Sequence, residues 1–136
     1  MRFIDANVFL RAMSGDDASK AAHCRTLFKA LEANTEQATT NETILAELAY
    51  NLVSPRQYGL SHAEASRLIR PYLLLRGLHL PDRALFMRAV DVFATNIKLD
   101  IEDALAVARM EKDGIREILS YDRDFDTIPG IVRLEP

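Results

Sequence analysis

Gly114-Ile115-Arg116-Glu117-Ile118-Leu119-Ser120-Tyr121-Asp122 is the stretch that decides the architecture. The glycine stops a helical pattern that Asp100 opens, and the apolar run after it reads as a strand over 116–121. An acid, Asp122, follows that strand directly. The start of the chain repeats the arrangement, since the run Arg2-Phe3-Ile4 ends on Asp5. Strands separated by helical patterns predict an α/β fold. Crossover helices would cover both faces of a mainly parallel sheet of about four to five strands. Ligands of such sheets collect outside the carboxyl ends of the strands. Asp5 and Asp122 are therefore expected side by side at one mouth.

Working outward, Asp82 caps a helix to about Asn96, and Gly77-Leu78-His79-Leu80 is a short strand ended by Pro81. Ser61 with Glu64 reads as a capping box for a helix that Pro71 must interrupt or kink. Thr39 with Glu42 reads as another, launching a helix over Thr43 to Val53 whose Leu45, Leu48, Ala49 and Leu52 share one side. Gln37-Ala38-Thr39 is a weak strand. Asp16 or Asp17 caps a helix to about Glu32, with Ala21, Cys24, Leu27, Phe28 and Leu31 on one face. Asn7 to Met13 reads as the turn out of the first strand. Asp122 to Ile128 is a polar turn, and Ile131 to Leu134 the last strand.

At 136 residues and 49% hydrophobic, the chain fits one domain over 1–136 with a real core. Seventeen Lys and Arg against 20 acids leave a net charge of −3, which weighs against non-specific binding to a long polyanion but leaves room for a local cation. The lone Cys24 excludes an internal disulfide and a thiolate metal site, and predicts a buried thiol in a reducing cytoplasm. No apolar run approaches a membrane span, and no signal peptide opens the chain. His23, His62 and His79 lack metal spacing and read as surface or core imidazoles. Neither a glycine-rich phosphate loop nor a G-x-S-x-G elbow is present, so P-loop binding and serine-hydrolase chemistry lose support. Asp5-Ala6-Asn7 also lacks the second Asp and the Thr of phosphoaspartyl hydrolases.

Each acid has a plain structural account. Asp5 suits a turn, and Glu42 is explained as the capping partner of Thr39. Glu47 lies away from the apolar centre of its helix, as a solvated glutamate would. Asp100 and Glu102 suit a helix macrodipole. Asp103 lies one turn in, against Ala104 and Leu105. Asp122, Asp124 and Asp126 form a charged turn. Their common placement at one sheet edge is what speaks for function. Carboxylates gathered there repel unless a divalent cation neutralises them, and hard cations favour oxygen ligands. An acid-lined metal site calls for an anionic, oxygen-rich substrate, and phosphodiesters fit best.

The chain resembles PIN-domain proteins of the VapC-like toxin type over essentially its full length. The resemblance is carried by Phe3-Ile4-Asp5-Ala6-Asn7, Thr43-Ile44-Leu45-Ala46-Glu47-Leu48, Leu99-Asp100-Ile101-Glu102-Asp103-Ala104-Leu105-Ala106-Val107-Ala108, Ser120-Tyr121-Asp122-Arg123-Asp124-Phe125-Asp126 and Ile128-Pro129-Gly130-Ile131. It implies a three-layer α/β/α domain in which Asp5, Glu47, Asp103 and Asp122 are catalytic and bind Mg²⁺ (or Mn²⁺). Asn7 and Ser120 would line the site and position water. The family's fourth acid is its least uniform, so Asp124 and Asp126 are substitutes for Asp122. The implied activity is endoribonuclease cleavage of RNA phosphodiester bonds by the toxin of a type II toxin–antitoxin pair, with a cognate antitoxin and a homodimer as partners. Consecutive Leu73, Leu74 and Leu75 point several ways around a helix, so some apolar surface is expected to meet another chain. Two rivals stand beside this reading. One is a receiver-like signalling module, which lacks its mid-sheet phosphoacceptor and late lysine. The other is a non-catalytic α/β binding module with a solvated acidic pocket.

Overall fold

Strands of two or three residues alternate with helices of nine to fifteen in the computed structural model, which describes residues 1–136. In chain order they are β1 (Arg2–Phe3), α1 (Ala6–Ser14), α2 (Ala18–Glu32), β2 (Ala38–Thr39), α3 (Glu42–Val53), α4 (His62–Leu73), β3 (Leu78–His79), α5 (Arg83–Thr95), α6 (Ile101–Asp113), β4 (Glu117–Leu119) and β5 (Val132–Leu134), with a 3-10 turn over Arg123–Thr127 before β5. Every strand pairing is parallel, as helical crossovers require. The fold is α/β with a mainly parallel sheet, as expected. Its strands fall into two groups, β1-β2-β3 and β4-β5, and no ladder joins β1 to β4. β1 therefore has a hydrogen-bonded strand partner on one side only, and Leu119, Val132 and Leu134 of the smaller group face solvent.

The core lies among the helices. Ile4, Leu45, Leu48, Leu52, Ile69, Phe86, Phe93 and Leu99 are buried in one cluster. Phe9, Phe28 and Tyr72 meet edge-on or tilted, with ring centroids 5.1 Å apart for the first pair and 4.7 Å for Phe28 and Tyr72, fastening α1 and α2 to the end of α4. Two buried hydroxyls tie elements together. Ser66 donates to the Val90 carbonyl at 3.2 Å, and Thr40 to that of Ile4 at 3.0 Å. The Thr40 bond clamps the carboxyl ends of β1 and β2 immediately before Asp5.

The structure corrects the sequence reading in two places that bear on the site. Residues expected as a turn form α1, whose Ala6, Phe9 and Leu10 at positions i, i+3 and i+4 are buried. Nine residues give too little periodicity to stand out beside a strand. Second, Thr39 does not cap α3. It belongs to β2 and donates to the His79 carbonyl at 2.6 Å, while Asn41 caps α3 by accepting the Ile44 N–H at 3.1 Å. Glu42 is then the first helical residue, and no box with Thr39 exists. Asn41→Ala should cost about 1 kcal/mol. Glu42→Ala should cost only a few tenths, through the helix dipole. Thermal melts of the two variants check this, and the opposite order would restore Glu42 as the capping partner.

The other expected N-caps are found, although the Ser61–Glu64 box closes on one side only, with no bond returning from the Glu64 carboxylate. Asp17, Ser61, Asp82 and Asp100 cap their helices. Pro71 lies in the last turn of α4, which ends at Leu73. Of the three leucines, Leu73 is buried, Leu75 packs half-buried on the core and Leu74 is 57% exposed. The thiol of Cys24 is half-buried rather than buried. His62 stacks on Phe93 at 3.9 Å, and His79 is bonded to Gln37, both structural roles.

Candidate active site

Asp5 stands where β1 ends and α1 begins. Its Oδ2 accepts the Asn7 N–H at 3.2 Å, making it the N-cap of α1. Glu47 projects from the middle of α3, exposed and opposite the buried Leu45, Leu48 and Leu52. It borders two clefts. One, of about 360 Å³, lies against α1 and includes Asn7. The other, of about 560 Å³, reaches Glu102 and Leu105 of α6. Helix α3 thus carries Glu47 between the helices that bear Asn7 and Asp103.

Asp103 is the third residue of α6 and forms a capping box with Asp100. The Asp103 N–H donates to Asp100 Oδ1 at 2.8 Å, and the Asp100 N–H donates to Asp103 Oδ2 at 3.4 Å. Partial burial, then the charges of Asp100 and Asp122, push the Asp103 carboxyl up to about 6. Asp122 follows β4 and accepts the Asp124 N–H at 2.9 Å, while its own N–H donates to Ser120 Oγ at 3.0 Å. The Ser120 carbonyl in turn accepts from Arg133 at 2.9 Å. Arg133, only 10% exposed, also donates to both oxygens of Asp126, at 2.9 and 3.4 Å. Asp126 is thus paired with a cation that it shares with Glu135, which accepts from Arg133 at 3.0 Å; Asp124 has no such partner.

No ion pair in the protein includes Asp5, Glu47, Asp100, Asp103 or Asp122. The structure brings Asp103, Asp100 and Asp122 within electrostatic reach of one another, and sets Glu47 and Asn7 in one cleft. It does not bring three ligands together: no trio of His, Cys, Asp or Glu stands close enough to hold an ion as the side chains lie. Asp5 and Asp122 end strands of different sheets, so strand pairing does not set their spacing. The donor set itself is all carboxylate oxygen, which suits a hard divalent cation and not a soft one.

Sequence reasoning explained Asp100 as a cap and passed over its second effect, the charge it places beside Asp103. The Asp-x-x-Asp spacing at 100 and 103 was the available signal. It also passed over Arg11 and Asn51, each four positions beyond a site residue on the same helix. With residues 7–13 read as a turn, the first of these pairings stayed hidden.

The raised carboxyl sets a pH dependence. Because the folded state holds the Asp103 proton more tightly than the unfolded chain, its contribution to stability is present below the unfolded value near 4 and is lost as pH rises through 6. A tenfold difference in proton affinity is worth about 1.36 kcal/mol, and solvent screening of this half-exposed group leaves roughly 1–2 kcal/mol. Asp103→Asn should therefore be stabilised over wild type at pH 7 and lose most of that advantage by pH 4. Melts at both values check it, and a constant difference would remove Asp103 as the source.

Residues 2–131 match the PIN-domain family model. The chain belongs to the PIN-domain family, whose members are typically nucleases that use divalent metal ions. No curated protein is similar enough to the chain to count as a relative.

Proposed function

We propose that this protein is a Mg²⁺- or Mn²⁺-dependent endoribonuclease, the toxin of a VapC-like toxin–antitoxin pair, acting on RNA phosphodiester bonds in the cytoplasm. The observation that carries the proposal is the set of acids left without cations, one of them with its carboxyl raised to about 6 by burial and by its acidic neighbours. Other acids of the chain, Glu32, Glu64, Asp113 and Glu117 among them, also have no ion pair, so what sets this group apart is the raised carboxyl of Asp103 beside Asp100 and Asp122. Asp5, Glu47, Asp103 and Asp122 are the residues that would hold the ion. A bound divalent cation supplies an activated water at neutral pH and neutralises charge on the transferring phosphoryl group.

The remaining steps belong to the chain. Asp103 must release its proton to act as a ligand, which makes cation binding weaken below about pH 6. Ser120 holds the backbone of Asp122, and the side chains of Asn7 and Ser120 orient ligands or water rather than move protons. Asp5 and Asp103 both stand at helix N-termini, where the helix dipole favours their carboxylates in the charged form that a cation needs.

Partner contacts fit the α2–α4 side. A groove of about 330 Å³ there is lined by Phe28, Tyr72 and Leu75 and flanked by Arg25 and Lys29, beside the exposed Leu74. We assign this apolar surface to the homodimer and to the antitoxin. Sedimentation equilibrium reads the first, and co-expression with the neighbouring reading frame reads the second.

The nuclease reading is tested with chelator and metal. RNA cleavage should stop in EDTA, and Mg²⁺ should raise the melting temperature of wild type but not of Asp103→Asn. Absence of both effects would favour the non-catalytic binding module.

A further inference from the structure

We infer that the cleft between α1 and α3 is a track for single-stranded RNA leading away from the acids, and that Arg11 grips a phosphate one step along it. The nucleic-acid nature of the ligand rests on the nuclease reading; the geometry of the track does not. Asn7 and Arg11 are four residues apart on α1, as Glu47 and Asn51 are on α3, and all four line one cleft of about 360 Å³. Each helix therefore presents a site residue and, about one turn or 5.4 Å further on, a polar residue with no catalytic role. Gln57 and Tyr58 also line it.

Arg11 is half-buried in this wall, yet its guanidinium meets no carboxylate, although Glu47 and Asp16 line the same cleft. Asp16 is engaged instead by Tyr58, whose hydroxyl donates to it at 2.8 Å and fixes the ring. An unpaired guanidinium is a planar fork of donors that matches a phosphate in two bonds. The amides of Asn51 and Gln57 can meet base edges, and the held tyrosine ring offers a stacking face. A chain of net charge −3 gives a polyanion no general attraction, so the strand must be held by local cations such as this one.

The plain structural role for Arg11 is a cation at the carboxyl end of α1, complementing the helix dipole. Binding of a short fluorescein-labelled single-stranded RNA in EDTA separates the two by anisotropy. Arg11→Ala and the length-preserving Arg11→Gln should weaken binding about tenfold. The slope of log affinity against log salt should fall by about 0.7, and Arg11→Lys should keep that slope. With Mg²⁺ present, KM should rise about tenfold while kcat stays within about twofold. A neutral variant that lowers the melting temperature but leaves slope and KM unchanged overturns the track. If wild type cleaves no RNA yet the slope still falls, the nuclease reading fails and the track stands. If wild type cleaves and the slope is unchanged, the track alone fails.

Discussion

Asp103→Asn should lose RNA cleavage by at least about a hundredfold while melting at or above the wild-type temperature. The amide keeps an oxygen where Asp103 Oδ2 accepts the Asp100 N–H, so the capping box survives. What disappears is the negative charge that burial, Asp100 and Asp122 oppose. A gain of roughly 1–2 kcal/mol in a protein of this size moves the melting temperature by about 2–8 °C. Loss of function with gain of stability is the pattern of a residue kept for chemistry. Asp5→Asn is the matching variant for the other half of the site, because it preserves the bond to the Asn7 N–H. Asp5→Ala would mix two effects, since removing that cap costs about 1 kcal/mol by itself. Steady-state cleavage and melting of both asparagine variants decide the matter. A folded Asp103→Asn protein with full activity would sink the metal-site reading.

Gly77→Ala should strip the fold of about 3 kcal/mol or more, a large part of the 5–15 kcal/mol available to an ordinary domain. A Cβ at this position would stand 2.2 Å from the Glu36 carbonyl oxygen, 3.0 Å from that of Leu31 and 3.1 Å from the Leu31 Cα. All three are backbone atoms, and none can swing aside. The Gly77 N–H donates to the Leu31 carbonyl at 2.8 Å, and its own carbonyl accepts from Ala38 at 2.9 Å. Those bonds fix the entrance to β3 against the end of α2 and the start of β2, so a shift there propagates into the three-stranded sheet. Chemical denaturation should show a sharply lower midpoint with the slope retained. A midpoint equal to wild type would mean that this approach of backbones does not matter.

The helical part of the molecule was readable in advance for a physical reason. Helices α3 to α6 are long enough to repeat an apolar face, and Ser61, Asp82 and Asp100 announce the starts of the last three. The exposed position of Glu47 followed from the same periodicity. Where the elements are short, the pattern has too few repeats to discriminate. Strands of two residues carry no alternation, and α1 hides in a segment rich in Val, Phe and Leu. Thr39, Thr40 and Asn41 are all capping types, so composition could not choose among them; hydrogen bonding to His79 and to Ile4 removed the two threonines. Asp5, Asp103 and Asp122 stood out because each follows an element or lies in the first turn of one, whereas Glu47, in the middle of α3, was marked only by the family resemblance. Their mutual spacing depends on strand pairing across the chain, which no local pattern contains.

The separation of the sheet into two groups also orders the chain by how far apart its pairing partners lie. Arg2 must find Ala38 and Ala38 must find Leu78, whereas Glu117 meets Val132 after a much shorter excursion. Loop-closure entropy grows with the logarithm of that excursion, and non-local pairing slows folding. The β4–β5 pair, with Ser120 and Asp122 between its strands, therefore closes without waiting for the longer searches that deliver Asp5. One half of the candidate site is a product of local chain closure, and the other of the slow assembly of the N-terminal half.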